Sequence, residues 1–318
     1  MCGIVGYIGN REAAPILLEG LHRLEYRGYD SAGMATIQSG ALEVHRCVGR
    51  VAQLESTLPE DLIGTIGIAH TRWATHGGVT VENAHPHVDA SGRIAVVHNG
   101  IIENAALLRA RLKAEGVSFR SDTDTEVLAH LIGRFYGGNS LDGVEGTDDP
   151  VEAVRRALLL LRGTWGIAVT FADQPDCLVT ARNGSPLVIG LGQGEVFLAS
   201  DPHALVRYTR RVIYLEDREI ALLDANGVET SRLGDDTPRT PFVHTLEDDW
   251  IEAELEGFPH YMLKEIHEQQ DAMQRALSGR VVPDEGTAKL GGLDMNPRDL
   301  VSVPRVGLLG CGTSFHAC

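Results

Sequence analysis

Short apolar runs separated by turn residues, without regular alternation of strand and helix, constrain the fold of this chain more than any other feature. Segments 2–8, 32–37, 65–71, 94–98, 166–171, 177–181, 187–190 and 196–200 each read as strands. Residues 220–223, followed by Asn226-Gly227, read as one arm of a hairpin. Helical spacing lies between these runs. Leu17, Leu18, Leu21 and Leu24 share one face, with Pro15 leaving the start of that helix open. Leu107, Leu108 and Leu112 mark a second helix, Val127, Leu128, Leu131 and Ile132 a third, and Val154, Leu158 and Leu161 a fourth. Strands that follow one another directly argue against a single parallel sheet. They predict an α+β fold of antiparallel sheets covered by helices.

The pattern changes after Leu233. Residues 234–241 are polar, carry two prolines and read as a linker. Beyond it, Met262, Ile266, Met273 and Leu277 recur at spacings near four and predict an amphipathic helix over 261–277. Residues 301–309 read as a buried strand. It runs into Gly310-Cys311-Gly312-Thr313-Ser314, a loop suited to open a helix and hold an anion there. One strand and one loop cannot bury themselves, so 301–318 is expected to be the start of a further domain. The expected division is 2–233, a linker region 234–300, and 301–318.

With 28 basic and 44 acidic residues the net charge is −16, which repels phosphate backbones and argues against a nucleic-acid partner. No apolar stretch is long enough to span a bilayer, so no membrane association is expected. The five cysteines are odd in number and widely spread, forming neither a disulfide framework nor a CxxC metal pattern. Met1-Cys2-Gly3 opens without a charged and apolar leader, so the reducing cytoplasm is the expected compartment.

Cys2 is the first candidate for chemistry. Removal of Met1 would leave it as the amino terminus, with an α-amine of reference pKa about 7.7–8.0 beside its own thiol. Nucleophile and base then sit on one residue. Gly3 after it permits close backbone approach. A small buried residue starting a strand is the plain alternative. Three further segments supply the groups that acyl transfer from an amino-acid amide requires. His70-Thr71-Arg72-Trp73-Ala74-Thr75-His76-Gly77 offers a guanidinium to grip a carboxylate. His98-Asn99-Gly100 offers a side-chain amide and a backbone N–H for an oxyanion hole. Ser121-Asp122-Thr123-Asp124-Thr125-Glu126 offers a carboxylate to face an ammonium group. Each has a bland reading as well. Arg72 suits a surface ion pair, Asn99-Gly100 a turn, and Trp73 the core or its rim. Asp124 suits a helix N-cap, and Asp122 would serve there equally. His85-Pro86-His87 could present two metal ligands. No helical H-x-x-x-H and no CxxC accompanies it, so no metal and no cofactor are expected.

Taken together these segments resemble the glutamine–fructose-6-phosphate aminotransferase family. The resemblance runs through Cys2-Gly3-Ile4-Val5-Gly6, the segment from Leu24-Glu25-Tyr26-Arg27 to Gly28-Tyr29-Asp30-Ser31-Ala32-Gly33, and residues 71–76. It continues through Asn83-Ala84-His85-Pro86-His87, Val97-His98-Asn99-Gly100-Ile101-Ile102-Glu103-Asn104 and Thr123-Asp124-Thr125-Glu126. Later stretches also match: Ser185-Pro186-Leu187, Ala199-Ser200-Asp201, residues 260–266, and Cys311-Gly312-Thr313-Ser314. Gln270 departs from the family's usual proline after Glu-Gln, which touches only the local helix.

The resemblance implies an N-terminal-nucleophile hydrolase fold, a four-layer αββα sandwich. It would be followed by a linker and a truncated α/β sugar-isomerase domain. It implies that Cys2 attacks the side-chain amide of L-glutamine to form a γ-glutamyl thioester, with Asn99 and the Gly100 N–H stabilising the oxyanion. Arg72, Thr75, His76 and Asp124 would hold the glutamine backbone end, and Trp73 would gate the passage for ammonia. Thr313 and Ser314 would belong to the first sugar-phosphate loop for fructose 6-phosphate. A homodimer is implied as well. The later sugar-phosphate residues are absent, so this chain alone is not expected to make glucosamine 6-phosphate. Amidophosphoribosyltransferase and asparagine synthetase use the same amino-terminal domain. The segments at 261–266 and 311–314 match the sugar enzyme instead.

Overall fold

A computed structural model describes residues 2–59, 61–74, 76–138, 141, 143–234, 237–246, 257–277, 281–282, 287–288, 301–310, 315 and 318. The chain divides into two units, Met1–Glu254 and Leu255–Cys318. The first contains strands β1 Gly3–Ile8, β2 Ser31–Gln38, β3 Ala41–Val48, β4 Ile66–Arg72, β5 His87–Val88, β6 Ile94–Ile102, β7 Gly163–Phe171 and β8 Leu178–Asn183. These continue as β9 Val188–Leu191, β10 Val196–Ala199, β11 Arg211–Tyr214, β12 Glu219–Asp224, β13 Gly227–Arg232, β14 Pro238–Arg239 and β15 His244–Thr245. Its helices are α1 Ala13–Leu24, α2 Val51–Thr57, α3 Ala105–Ala114, α4 Asp124–Tyr136 and α5 Pro150–Leu159.

Among the described residues the strands form two sheets, ordered β15-β11-β9-β10-β1-β4-β2-β3 and β14-β13-β12-β8-β7-β6-β5. Adjacent strands run antiparallel in the central pairs β1–β10, β1–β4, β6–β7 and β7–β8. The apolar runs of the sequence are continuous because these strands are buried on both faces. In β1, Ile4 and Ile8 enter the core between the sheets, while Val5 and Tyr7 pack under α1 with Leu17, Leu21 and Leu24. In β6, Ala95 and Val97 point between the sheets, while Ile94 and Val96 meet Leu128, Leu131 and Ile132 of α4. Side chains alternate across a strand, so each run fills two cores at once. Three clusters thus separate four layers: α1 and α2, one sheet, the other sheet, and α3 to α5.

Pro15 lies in the first turn of α1, where its missing N–H removes no intrahelical bond. The edge strand β3 is half-exposed along its length and carries Glu43, His45 and Arg46 among apolar residues, so no apolar run marks it. The hairpin expected at 220–227 is present as β12 and β13, with Asp224 accepting hydrogen bonds from the N–H groups of Asn226 and Gly227 at 2.6 and 2.7 Å. Residues 238–239 and 244–245, inside the stretch expected as linker, add an edge strand to each sheet.

In the second unit the expected helix is present as α6 Tyr261–Leu277, and β16 Val281–Val282 pairs with β17 Thr287–Ala288. Met262, Ile266 and Met273 are exposed on α6. The strand expected over 301–309 is not formed. Residues 301–310 hold no strand, and Val301, Val306 and Leu309 are exposed. A strand needs a neighbour to accept its backbone hydrogen bonds, and among the described residues this segment has none. Among the described residues no helix is long and apolar enough to cross a membrane.

Candidate active site

Strand parity brings the candidate residues together. Cys2 precedes β1 in phase with Ile4 and Ile8, and His70 and Arg72 follow Ile66 and Ile68 on β4. Asn99 follows Ala95 and Val97 on β6. All four therefore occupy the inward-facing positions of their sheets, at the end where β1 begins and β4 ends.

Backbone contacts fix Cys2 closely. The Gly3 N–H donates to Thr71 Oγ1 at 3.1 Å, and a Cβ on Gly3 would lie 2.6 Å from that oxygen, so only glycine lets the strands approach here. The Trp73 N–H donates to Cys2 Sγ at 3.1 Å, and the thiol faces the Trp73 carbonyl at 3.5 Å. Burial raises the thiol pKa; the Trp73 N–H and the nearby Arg72 act against that, and Asp30 reinforces it. The resting group is the thiol, and a base is needed to make it a nucleophile.

Asn99 reaches across from the other sheet. Its Nδ2 donates to the Cys2 carbonyl at 3.3 Å, and its Oδ1 is 2.9 Å from His70 Nε2. Gly100 has φ +139°, and a Cβ there would sit 2.1 Å from the Thr164 carbonyl oxygen. Asn99-Gly100 is therefore no turn. It lies within β6, opposite Gly166 and Trp165 of β7.

Arg72 is 4% exposed. Its guanidinium donates to the carbonyls of His76 at 2.5 Å, Gly77 at 3.5 Å and Gly78 at 3.1 Å, and lies 3.8 Å from Asp30. It is not a surface ion pair but the anchor of the loop over 76–78. Asp30 holds the other arm of this loop, accepting from the Ala74 N–H and from Ser31 Oγ. Trp73 is 54% exposed and lies over Gly28, where a Cβ would meet the ring at 2.7 Å. His76 is exposed. Thr75, Thr313 and Ser314 lie outside the described residues.

The helix cap differs from both expectations. Thr123, not Asp124 or Asp122, caps α4, with Oγ1 accepting from the Glu126 N–H at 3.3 Å. Asp124 is then the first helical residue, and its buried carboxylate accepts the Ile102 N–H at 2.8 Å. A carboxylate at this terminus is favoured by the helix dipole. Burial pushes the Glu126 carboxyl up, but His130, the N–H groups of Arg120 and Ser121, and the Ser121 hydroxyl bring it to about 2.

Behind the site stands a group of buried histidines. His70 and His85 stack at 4.2 Å, and His85 meets His87 edge-on at 4.9 Å. His87 Nε2 is 2.9 Å from Thr123 Oγ1, and His98 spans Thr125 Oγ1 and the Thr164 carbonyl. The rings hold strand ends and the α4 cap together. Burial lowers His70 and His87 to about 3 each. Unfolded histidine titrates near 6.5, so between the two values only the unfolded chain takes up protons. Stability is full above about 6.5 and falls with pH by about 1.4 kcal/mol per unit for each ring. These two rings alone should make the chain roughly 4 kcal/mol less stable at about pH 5 than at about pH 7.5 in denaturant titrations. Equal stabilities would show that the rings are not held neutral.

Asp30, Thr71, Ser200 and His70 were not singled out as site residues from sequence. Ser200 accepts the Ile4 N–H at 3.0 Å and anchors β1 behind the cysteine. Asp30 and Ser200 fall within matched motifs, and His70 is in phase with Ile66 and Ile68, which is the signal that marks its direction.

A cysteine at the head of a central strand, facing an Asn-Gly pair across two antiparallel sheets, places the chain among the glutamine amidotransferases. Residues 70–207 match the family model described as glutamine amidotransferase domain. The fold is similar to Bacillus subtilis glutamine phosphoribosylpyrophosphate amidotransferase complexed with ADP and GMP. That match has a TM-score of 0.62 and 27% identity and covers 75% of this chain and 50% of that one. Within this class, the chain is similar to glutamine–fructose-6-phosphate aminotransferases. It is 48% identical over 318 residues to the isomerising enzyme of Symbiobacterium thermophilum and 47% identical over 321 residues to that of Chlorobaculum tepidum. Both alignments take in 100% of this chain, but 50% and 51% of those proteins, so the chain spans about half the length of these relatives.

Proposed function

We propose that this chain is the glutamine-hydrolysing part of a glutamine–fructose-6-phosphate aminotransferase, with Cys2 as its nucleophile once Met1 is removed. The observation that carries the reading is the contact of Asn99 Nδ2 with the Cys2 carbonyl, 3.3 Å away, which sets an amide donor against the residue that carries the thiol. The free α-amine of Cys2 takes the proton of its half-buried thiol. Sγ then attacks the side-chain carbonyl carbon of glutamine, and charge gathers on the carbonyl oxygen. The Asn99 amide and the Gly100 N–H stabilise that charge. Collapse breaks the C–N bond, the amine returns the proton to the leaving nitrogen, and ammonia departs from a γ-glutamyl thioester. Water, deprotonated by the same amine, attacks the thioester carbonyl; the C–S bond breaks, the amine returns the proton to Sγ, and glutamate leaves.

Arg72, Thr75, His76 and Asp124 would bind the α-carboxylate and α-ammonium of glutamine, and Trp73 would cover the exit for ammonia. Fructose 6-phosphate would be the acceptor in the complete enzyme, with Thr313 and Ser314 in the first sugar-phosphate loop of a sugar-isomerase domain beginning near residue 301.

Assay of glutamate and ammonia, with and without fructose 6-phosphate, tests this directly. Glutamine turnover without the sugar phosphate is the expected result. A chain with Met1 removed, verified by mass spectrometry, that releases no glutamate in either condition would refute the reading for this chain.

A further inference from the structure

We propose that His70 is a positioning residue that sets the amide rotamer of Asn99, so that its NH2 rather than its oxygen faces the reacting carbonyl. The inference rests on the glutaminase reading above and adds a residue to it.

A side-chain amide presents a donor at one end and an acceptor at the other, and the two orientations have almost the same shape. An oxyanion hole requires the donor end, because the other orientation would aim a partial negative charge at the developing oxyanion. Two contacts decide the orientation here. The Cys2 carbonyl oxygen can only accept, so the Asn99 atom 3.3 Å from it is the NH2 group. The other end, 2.9 Å from His70 Nε2, is therefore the oxygen, which also can only accept. His70 must then carry its proton on Nε2, leaving Nδ1 as a buried lone pair. Of these two contacts, the one to Cys2 is long and is made by a residue that moves into chemistry. The His70 contact is shorter, buried and made by a residue with no chemical step of its own.

The ring is well suited to this task. His70 is fully buried on β4, between Ile4 of β1 and Gly33 of β2, on the inward face opposite Asn99. Burial keeps it neutral down to about 3, so its protonation state does not change across the working pH range. A charged imidazolium would still donate to Asn99, but burial disfavours that charge. Neutrality thus holds one hydrogen-bond pattern through β4, Asn99 and Cys2.

The test compares two variants of the full chain. His70→Phe keeps a ring for the stack on His85 and removes the N–H. His70→Gln removes the ring and returns an N–H near the place of Nε2. For His70→Phe we expect kcat for glutamine hydrolysis to fall about 10- to 100-fold, with KM nearly unchanged. Alkylation of Cys2 by iodoacetamide builds no oxyanion, so its rate should stay at the wild-type value. His70→Gln should recover most of the lost kcat. Wild-type kcat in His70→Phe would overturn the proposal. So would a parallel loss of alkylation, which would mark a scaffold role for the ring, or a glutamine variant no better than the phenylalanine one. Nitrogen-15 spectra of labelled histidine give a readout that needs no turnover, with His70 protonated at Nε2 and not at Nδ1. A wild-type chain without glutaminase activity would sink the function proposed above, whereas a proton on Nδ1 would sink this inference by itself.

Discussion

Cys2→Ala is expected to abolish glutamine hydrolysis, by at least about 10⁴-fold, while leaving the fold intact. Among the described residues of the first unit no other thiol can replace it. Among the described residues the remaining free cysteines are Cys47, Cys177 and Cys318, and Cys47 and Cys177 belong to other parts of the first unit. Burial raises the Cys177 thiol to about 11 and raises Cys47 as well, so neither is an activated nucleophile. The structural cost is small because Cys2 is only half-buried and its Sγ contacts only the Trp73 main chain by hydrogen bonding. The ladder of β1 begins after it, at Gly3. Stability should change by less than about 1 kcal/mol. Retained hydrolysis in a variant of native melting temperature would remove Cys2 from the mechanism.

Gly100→Ala is expected to cost both activity and stability. The backbone at Gly100 has φ +139°, which side chains rarely tolerate, and the added methyl would lie 2.1 Å from the Thr164 oxygen and 2.7 Å from the Thr164 carbonyl carbon. Neither is the flexible end of a side chain, so β6 or β7 must move. Strain of this kind costs about 1–3 kcal/mol. The movement falls on the residue after Asn99, so both proposed oxyanion donors shift together. Loss of one such donor typically lowers kcat about 10²- to 10³-fold, and displacement of both should reach at least that. Stopped-flow or steady-state glutamate release and a denaturant titration on the same preparation would measure the two effects. A variant with normal kcat would show that the Gly100 N–H takes no part.

Much of the architecture was legible in the chain because strands buried on both faces leave continuous apolar runs. The eight runs read as strands between residues 2 and 200 lie on β1, β2, β4 and β6 to β10. What escaped notice was the half-exposed edge. Strands β3 and β11 lie away from the sheet centre or are short and flanked by charge, as at Arg210 and Arg211, so burial leaves no clear period. The expected strand at 301–309 is apolar enough, but composition cannot supply the neighbour that a strand must pair with.

The candidate site divides in the same way. Cys2, Arg72, Trp73, Asn99, Gly100 and Asp124 were legible by residue type and motif, and parity with Ile4, Ile68 and Val97 determined which face Cys2, Arg72 and Asn99 would occupy. Their partners were not legible. That Arg72 holds the carbonyls of 76–78, that Thr123 rather than an aspartate caps α4, and that His70 grips Asn99 depend on which strand ends meet. Local sequence determined the chemistry each residue offers and the direction in which it points. Only the tertiary structure decided what it touches, because β4 and β6 belong to different sheets and a side chain's alternation along one strand carries no information about the register of the other.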